Sequence, residues 1–236
     1  MTGLKLIKNM SDARKAQAFY SEMSGPSEDL SEGLKTATGS DSSYEKISGE
    51  LSFFRLKFNK YKADFDELIF WLNIPGTDTD LPVMQSEDNS YYLHRLPDKS
   101  YNALGSLFLD YRCNKDSTNL IIYGHNGVNG RMFGGLKRYA DSEYLSSHPY
   151  IILADSDSVY KCPIFSVREV EASGDAYTID FEKDEDLLLY LEKAARDSLC
   201  QTDVHMSDVK RIVTLSTCTS VSDNKRFIVQ AVIEQQ

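Results

Sequence analysis

The sequence predicts a mainly β fold, a barrel or sandwich with helices at its periphery, and three observations carry that reading. Short apolar runs recur between turn signals from residue 69 onward, at 69–74, 81–85, 106–110, 119–123, 150–154 and 159–170. Two more, 211–215 and 226–232, are rich in β-branched and aromatic residues, and the polar stretch 219–225 between them marks a hairpin. The chain, 236 residues at 41% hydrophobic and 26% charged, can bury a substantial core and is expected to form one main domain.

Taken in order, residues 11–23 alternate charge with small and apolar residues, as a short amphipathic helix would. Residues 24–50 are dominated by Ser, Gly, Glu, Asp and Thr and have little to bury, so 1–50 reads as a leader or linker and 51–236 as the folded domain. Phe54, Phe58, Tyr61, Phe65 and Leu68 stand at helical spacing within 51–68, an aromatic stripe that docks a helix on the core. Two helical stretches interrupt the strands, at 132–145 and 186–199. The second is strongly amphipathic, and its acidic lead-in, 182–186, suits the positive end of a helix dipole better than a cation site.

Charge and motifs exclude several classes. A net charge of −10 argues against binding to nucleic acid or an anionic membrane. No window holds eighteen consecutive apolar residues, and the N-terminus is too charged for a signal core. Cys113, Cys162, Cys200 and Cys218 form no CxxC pair and match no zinc spacing, so free thiols and no metal are expected. The five glycines of 124–135 lack phosphate-loop spacing, and no cofactor is expected.

Three residues nonetheless converge on acyl-transfer chemistry. Cys218 ends the run Thr214-Leu215-Ser216-Thr217-Cys218, and hairpin pairing would set Arg226 opposite it at the mouth. His125 caps the apolar run 119–123 and enters a turn-prone stretch, where functional side chains often sit. A free cysteine titrates near 8.5, so a neighbouring cation is needed to populate the thiolate; a histidine can also protonate a leaving amine, which arginine cannot. His94, His148 and His205 occupy positions with more ordinary readings, as local polar or loop residues.

These residues, with Trp71-Leu72-Asn73-Ile74-Pro75-Gly76-Thr77, Pro82-Val83-Met84-Gln85, Asn89-Ser90-Tyr91-Tyr92-Leu93, Gly105-Ser106-Leu107-Phe108-Leu109-Asp110, Tyr123-Gly124-His125-Asn126, Met132-Phe133-Gly134 and His148-Pro149, occur in an order that resembles the sortases, class B in particular. The resemblance implies a closed β-barrel with peripheral helices, including an N-terminal helix and a long helix before the cysteine strand. It implies a cysteine transpeptidase with His125, Cys218 and Arg226 as its catalytic residues and substrate contacts from Asn89, Leu93, Tyr123 and Ser216. The partners implied are a surface or pilin protein bearing a C-terminal sorting signal, cleaved after threonine, and a cell-wall peptide amine or pilin lysine as acceptor. Such enzymes are held at the outer face of a Gram-positive cell membrane by an N-terminal anchor, which is not evident in these residues. Some relatives carry an acidic residue after the cysteine, where this chain has Thr219. Two alternatives are a cysteine endopeptidase passing its acyl group to water and an inactive binding module. Papain-type enzymes place cysteine before histidine, the reverse of the order here.

Overall fold

Eight strands roll into one closed barrel in the computed structural model, which describes residues 3–24, 43–127, 130, 132–218 and 224–234. Among the described residues two helices lead in, α1 (Gly3–Ser24) and α2 (Ser43–Lys62), followed by β1 (Leu68–Asn73), β2 (Asp80–Met84), β3 (Leu107–Leu109) and β4 (Asn119–His125). After β4 come α3 (Ser142–Ser147), β5 (Tyr150–Ala154), β6 (Val159–Glu171), α4 (Asp184–Arg196), β7 (Ile212–Cys218) and β8 (Lys225–Val232). Around the ring the order is β1, β2, β3, β4, β7, β8, β6, β5, and β5 closes it by pairing antiparallel with β1. Closure leaves no open sheet edge to attract a second chain.

Strand direction decides which residues meet. β2 runs parallel to β3 and β4 parallel to β7, while the other pairs are antiparallel. It follows that the ends of β1, β4 and β7 and the starts of β2, β3 and β8 share one rim. That rim carries the β1–β2 turn, His125, Cys218 and Arg226. The central strands are buried on both sides: Leu120, Ile121, Ile122, Val213 and Leu215 are inaccessible, which explains their continuous rather than alternating apolar pattern.

The helices seal the remaining faces. Ala16, Tyr20 and Met23 form the buried stripe of α1, and the Tyr20 hydroxyl donates to the Gly105 carbonyl at 3.0 Å. On α2, Phe58 is buried and Tyr61 stacks on Trp71 with centroids 5.3 Å apart. Beside them the fully buried Lys57 ammonium pairs with Asp80, whose other carboxylate oxygen accepts from the Trp71 indole at 2.6 Å. Burial pulls the Lys57 pKa down and Asp80 opposes it. A buried pair of this kind costs little only while both partners remain, so it fixes the seat of α2 rather than adding much net stability. α4 covers a second cluster, with Leu187, Tyr190, Leu191 and Ala194 packed on Phe165, Ile212 and Val232. Its acidic first turn is a solvated helix start, and Asp184 pairs with Lys210 at 2.6 Å.

Several expectations shift in detail. The first helix is longer than 11–23, and the second begins at Ser43, not 51, and ends at Lys62. The expected leader–domain division at 50/51 therefore falls inside α2, while residues 25–42 of the expected linker lie outside the described residues. Instead of one helix over 132–145 there are a 3-10 turn, Leu136–Ala140, and α3. Asp141 explains the break: its extended backbone ends the turn, and its carboxylate caps α3 by accepting from the Tyr144 N–H at 2.9 Å. Among the described residues, no helix is long and apolar enough to cross a membrane.

Candidate active site

β4 and β7 lie side by side, and their parallel register pairs His125 with Cys218 at the rim. Adjacent strands stand about 4.8 Å apart, so this register sets the two main chains at neighbouring positions. On the other side of β7, the ladder with β8 runs from Ile212↔Val232 to Ser216↔Ile228. The ladder stops at that pair; continued by two residues on each strand, its register would set Cys218 opposite Arg226. Thr217 supports that end of the pair, its hydroxyl accepting from the Phe227 N–H at 3.1 Å. The Arg226 guanidinium, half-buried, donates from Nη1 to the Lys225 carbonyl at 3.0 Å.

The histidine is held by its own main chain. Its carbonyl accepts from the Gly127 N–H at 2.9 Å and the Phe133 N–H at 3.0 Å, and Asn126 bridges to Met132. Gly124 lets this loop fold back: a Cβ there would come within 2.5 Å of the Leu107 side chain and 2.7 Å of the Phe133 ring. The imidazole is enclosed, and its buried Nδ1 has no hydrogen-bond partner among the described residues. Burial, with the His94 ring 5.9 Å away as a second cause, pulls the His125 pKa down to about 4.

Two residues back along the same strands, Tyr123 pairs with Ser216. The Tyr123 hydroxyl donates to Asp110 at 2.9 Å, and the Asn89 amide donates to the same carboxylate at 3.1 Å. Arg112 grips Asp110 with two donors, at 2.9 and 2.8 Å. Burial would raise the Asp110 pKa, but these hydrogen bonds outweigh it and hold the carboxyl below its ordinary range. Ser216 meets the Tyr177 hydroxyl at 2.9 Å, and the Tyr177 ring stacks on Tyr123 with centroids 6.2 Å apart. Asn89, Tyr123 and Ser216 thus form one connected network, whereas Leu93 packs partly buried against the hydrophobic core.

A sortase domain profile matches residues 72–234. The chain is 33% identical to Sortase B of Listeria monocytogenes over 194 residues, 80% of this chain and 78% of that relative. The chain belongs to the class B sortases. It is accordingly a cysteine transpeptidase, the activity common to the family. Sortase B of Staphylococcus aureus is 28% identical over 80% of this chain and 83% of its own length. The solved Staphylococcus aureus sortase B–substrate complex superposes with a TM-score of 0.72 at 26% identity, covering 81% of this chain and 94% of that one.

In this sortase the remaining histidines sort by place. His148 receives close packing from Gly76, and its ring stacks on Tyr144 with centroids 4.4 Å apart. His205 is exposed on the segment leading into β7, at the opposite end of the barrel. His94 is the exception, since the 3-10 turn Tyr92–His94 carries it to the His125 ring. Cys113, Cys162 and Cys200 are buried free thiols, and burial pushes Cys113 up to about 11 and Cys162 higher still. The Cys218 side chain and Thr219 lie outside the described residues. Asp110, Tyr177 and His94 are the residues that sequence reasoning did not single out. Asp110 stood within a motif, but nothing local to any of the three marks its long-range partner.

Proposed function

We propose that Cys218 is the nucleophile, His125 the acid–base residue and Arg226 the oxyanion partner of a transpeptidation at the barrel rim. The observation that carries this reading is the register that pairs His125 with Cys218 in the parallel β4–β7 ladder; Arg226 stands near the start of β8, the next strand in the ring. The Cys218 thiolate attacks the carbonyl following a threonine in the sorting signal, and the tetrahedral oxyanion is held by Arg226. As the C–N bond breaks, His125 gives its proton to the leaving amine and a thioester remains on Cys218. An incoming amine yields its proton to His125, forms the new amide bond and releases the thiolate. One well-placed oxyanion donor is worth roughly 3 to 4 kcal/mol in comparable sites.

The donor is a surface or pilin protein with a C-terminal sorting signal. The acceptor is an amine of cell-wall peptide or of a pilin lysine, and the reaction takes place on the outer face of the cell membrane. Asn89, Leu93, Tyr123 and Ser216 contact the donor. Incubating the protein with a panel of sorting peptides should yield a covalent adduct in the intact mass, discharged by added amine to a longer peptide. Cys218→Ala should give neither. An adduct or transfer product from that variant would place the nucleophile elsewhere.

A further inference from the structure

Four buried polar side chains join β6, β8, β7 and β4, consecutive strands of the ring, and no step derived so far uses them. Arg168 of β6 donates from Nη2 to the Gln230 side-chain oxygen at 2.6 Å and to the Tyr190 hydroxyl of α4 at 3.1 Å. Gln230, paired with Thr214 in the β7–β8 ladder, donates from Nε2 to the Thr214 hydroxyl at 2.8 Å. Thr214 donates to the Asn119 side-chain oxygen at 2.7 Å, and Asn119 Nδ2 donates to the main-chain carbonyls of Ala176 and Thr178 at 3.1 and 2.8 Å. Those carbonyls flank Tyr177, whose hydroxyl lies 2.9 Å from that of Ser216 and whose ring stacks on Tyr123. We propose that Arg168, Gln230, Thr214 and Asn119 are positioning residues of the donor site: their hydrogen bonds fix the turn that carries Tyr177 and so shape the seat of the sorting signal. The inference rests on the reading above in which Tyr123 and Ser216 contact the donor.

The array has a direction, and Arg168 sets it. A guanidinium carries donors only, so the Gln230 oxygen must face it and the Gln230 amide nitrogen is turned toward Thr214. The Thr214 hydroxyl has a single proton; accepting from Gln230, it gives that proton to the Asn119 oxygen. Asn119 is left with its two N–H donors, and they meet one carbonyl on either side of Tyr177. One permanent charge thus orders every amide and hydroxyl from β6 to the donor site.

Stability alone does not account for such an arrangement. Gln230, Thr214 and Asn119 are inaccessible and Arg168 is 5% exposed, yet Arg168 has no ion-pair partner among the described residues and its Nε has no hydrogen-bond partner there. Apolar side chains of similar volume commonly serve stability as well as a buried charge does. What the polar array adds is one defined orientation at its far end. The turn there needs it: Asp175–Tyr177 is a single 3-10 turn, and Asp175, Thr178 and Asp180 are exposed, so little burial holds it in place. Asn119 supplies the hold, since its main-chain N–H also donates to the Ile179 carbonyl at 2.8 Å.

The test reverses the array without shortening it. Gln230→Glu keeps the side-chain length and gives Arg168 a carboxylate partner, but a carboxylate cannot donate, so the Thr214 proton turns toward it and Asn119 loses its donor. With a sorting peptide, this variant should raise KM at least about fivefold, the worth of about one hydrogen bond, with kcat kept within about twofold. Thr214→Val should raise KM likewise, and Thr214→Ser, which keeps the hydroxyl, should not. In a Tyr177→Ala background Gln230→Glu should leave KM where Tyr177→Ala alone puts it, because the array acts through that ring. A KM unchanged in both Gln230→Glu and Thr214→Val, or a full further rise in the Tyr177→Ala background, would overturn the inference. Ser216→Ala separates that failure from one in the reading beneath it: an unchanged KM in this variant would overturn the donor contacts themselves and take the inference with them.

Discussion

His125 sits where a proton is hard to hold, and that setting has a measurable signature. Burial first, and the His94 ring second, bring its pKa to about 4, so at neutral pH the imidazole is uncharged. On the proposed assignment the active form holds one proton shared between the Cys218 thiol and the His125 imidazole, and it is lost on the acid side only when a second proton binds. The acid limb of kcat/KM should therefore lie near pH 4, with the rate flat from about pH 5 to 6.5. A limb centred at the ordinary histidine value would show that burial does not govern the reacting state. Because His94 is one of the two causes, His94→Gln should move the limb upward, read from the same pH series. For Arg226 the geometry of the donor matters more than its charge, since a planar fork presents several donors at fixed angles and lysine presents a mobile point charge. Arg226→Lys should lower kcat at least about tenfold, or about 1.4 kcal/mol in the transition state. A near-normal rate would remove it from the oxyanion role. Cys218, His125 and Arg226 could be picked out as candidates because each stands at the end or start of an apolar run. His94 was not, since its meaning arises only when the 92–94 turn folds against β4.

At the scale of elements, the loops above the barrel are tied to it by one carboxylate. Asp110 follows β3 directly, and it collects donors from Asn89 in the β2–β3 connection, Tyr123 in β4 and its near neighbour Arg112. Asp110→Asn keeps the shape but removes the charge these donors share. The variant should lose roughly 1 to 3 kcal/mol of stability in urea unfolding, discounted because Arg112 is half exposed. It should also raise the KM for a sorting peptide more than it lowers kcat, because Asn89 and Tyr123 lose their common anchor; an equal fall in kcat with KM unchanged would contradict that. The strands themselves were legible from composition and turn signals, most to within two residues. The helix at 43–62 was misjudged at its start because residues 43–50 offer few large apolar side chains. Once Lys57, Phe58 and Tyr61 dock, however, extending a helix backward by a turn or two requires no burial of its own.

Across the whole molecule, the order of strands in the ring could not be read from hydrophobic pattern, which marks strands but not partners; the family resemblance supplied the closed barrel. Pairs such as β1 with β5 and β4 with β7 join residues far apart in sequence. The N-terminal helices also belong to the body more than their composition announces. Removing residues 1–50 would uncover the face sealed by Ala16, Tyr20 and Met23 and delete the Tyr20 bond to Gly105. The shortened protein should melt at least ~5 °C lower. An unchanged midpoint in a thermal scan would mean that α1 contributes nothing to the fold. The parallel pairing of β4 with β7 has one more consequence, in the time order of folding. His125 and Cys218 are 93 residues apart (218 − 125) and meet only through a parallel pair, a non-local contact that forms slowly. Arg226 joins from the strand after that. With Cys218, His125 and Arg226 in their proposed roles, a partly folded chain carries its thiol without the base or the arginine, at the ordinary low reactivity of free cysteine. The enzyme becomes able to cut and join peptides only when its ring is complete, so the covalent chemistry is withheld during the interval when a newly made chain is most exposed to other unfolded proteins.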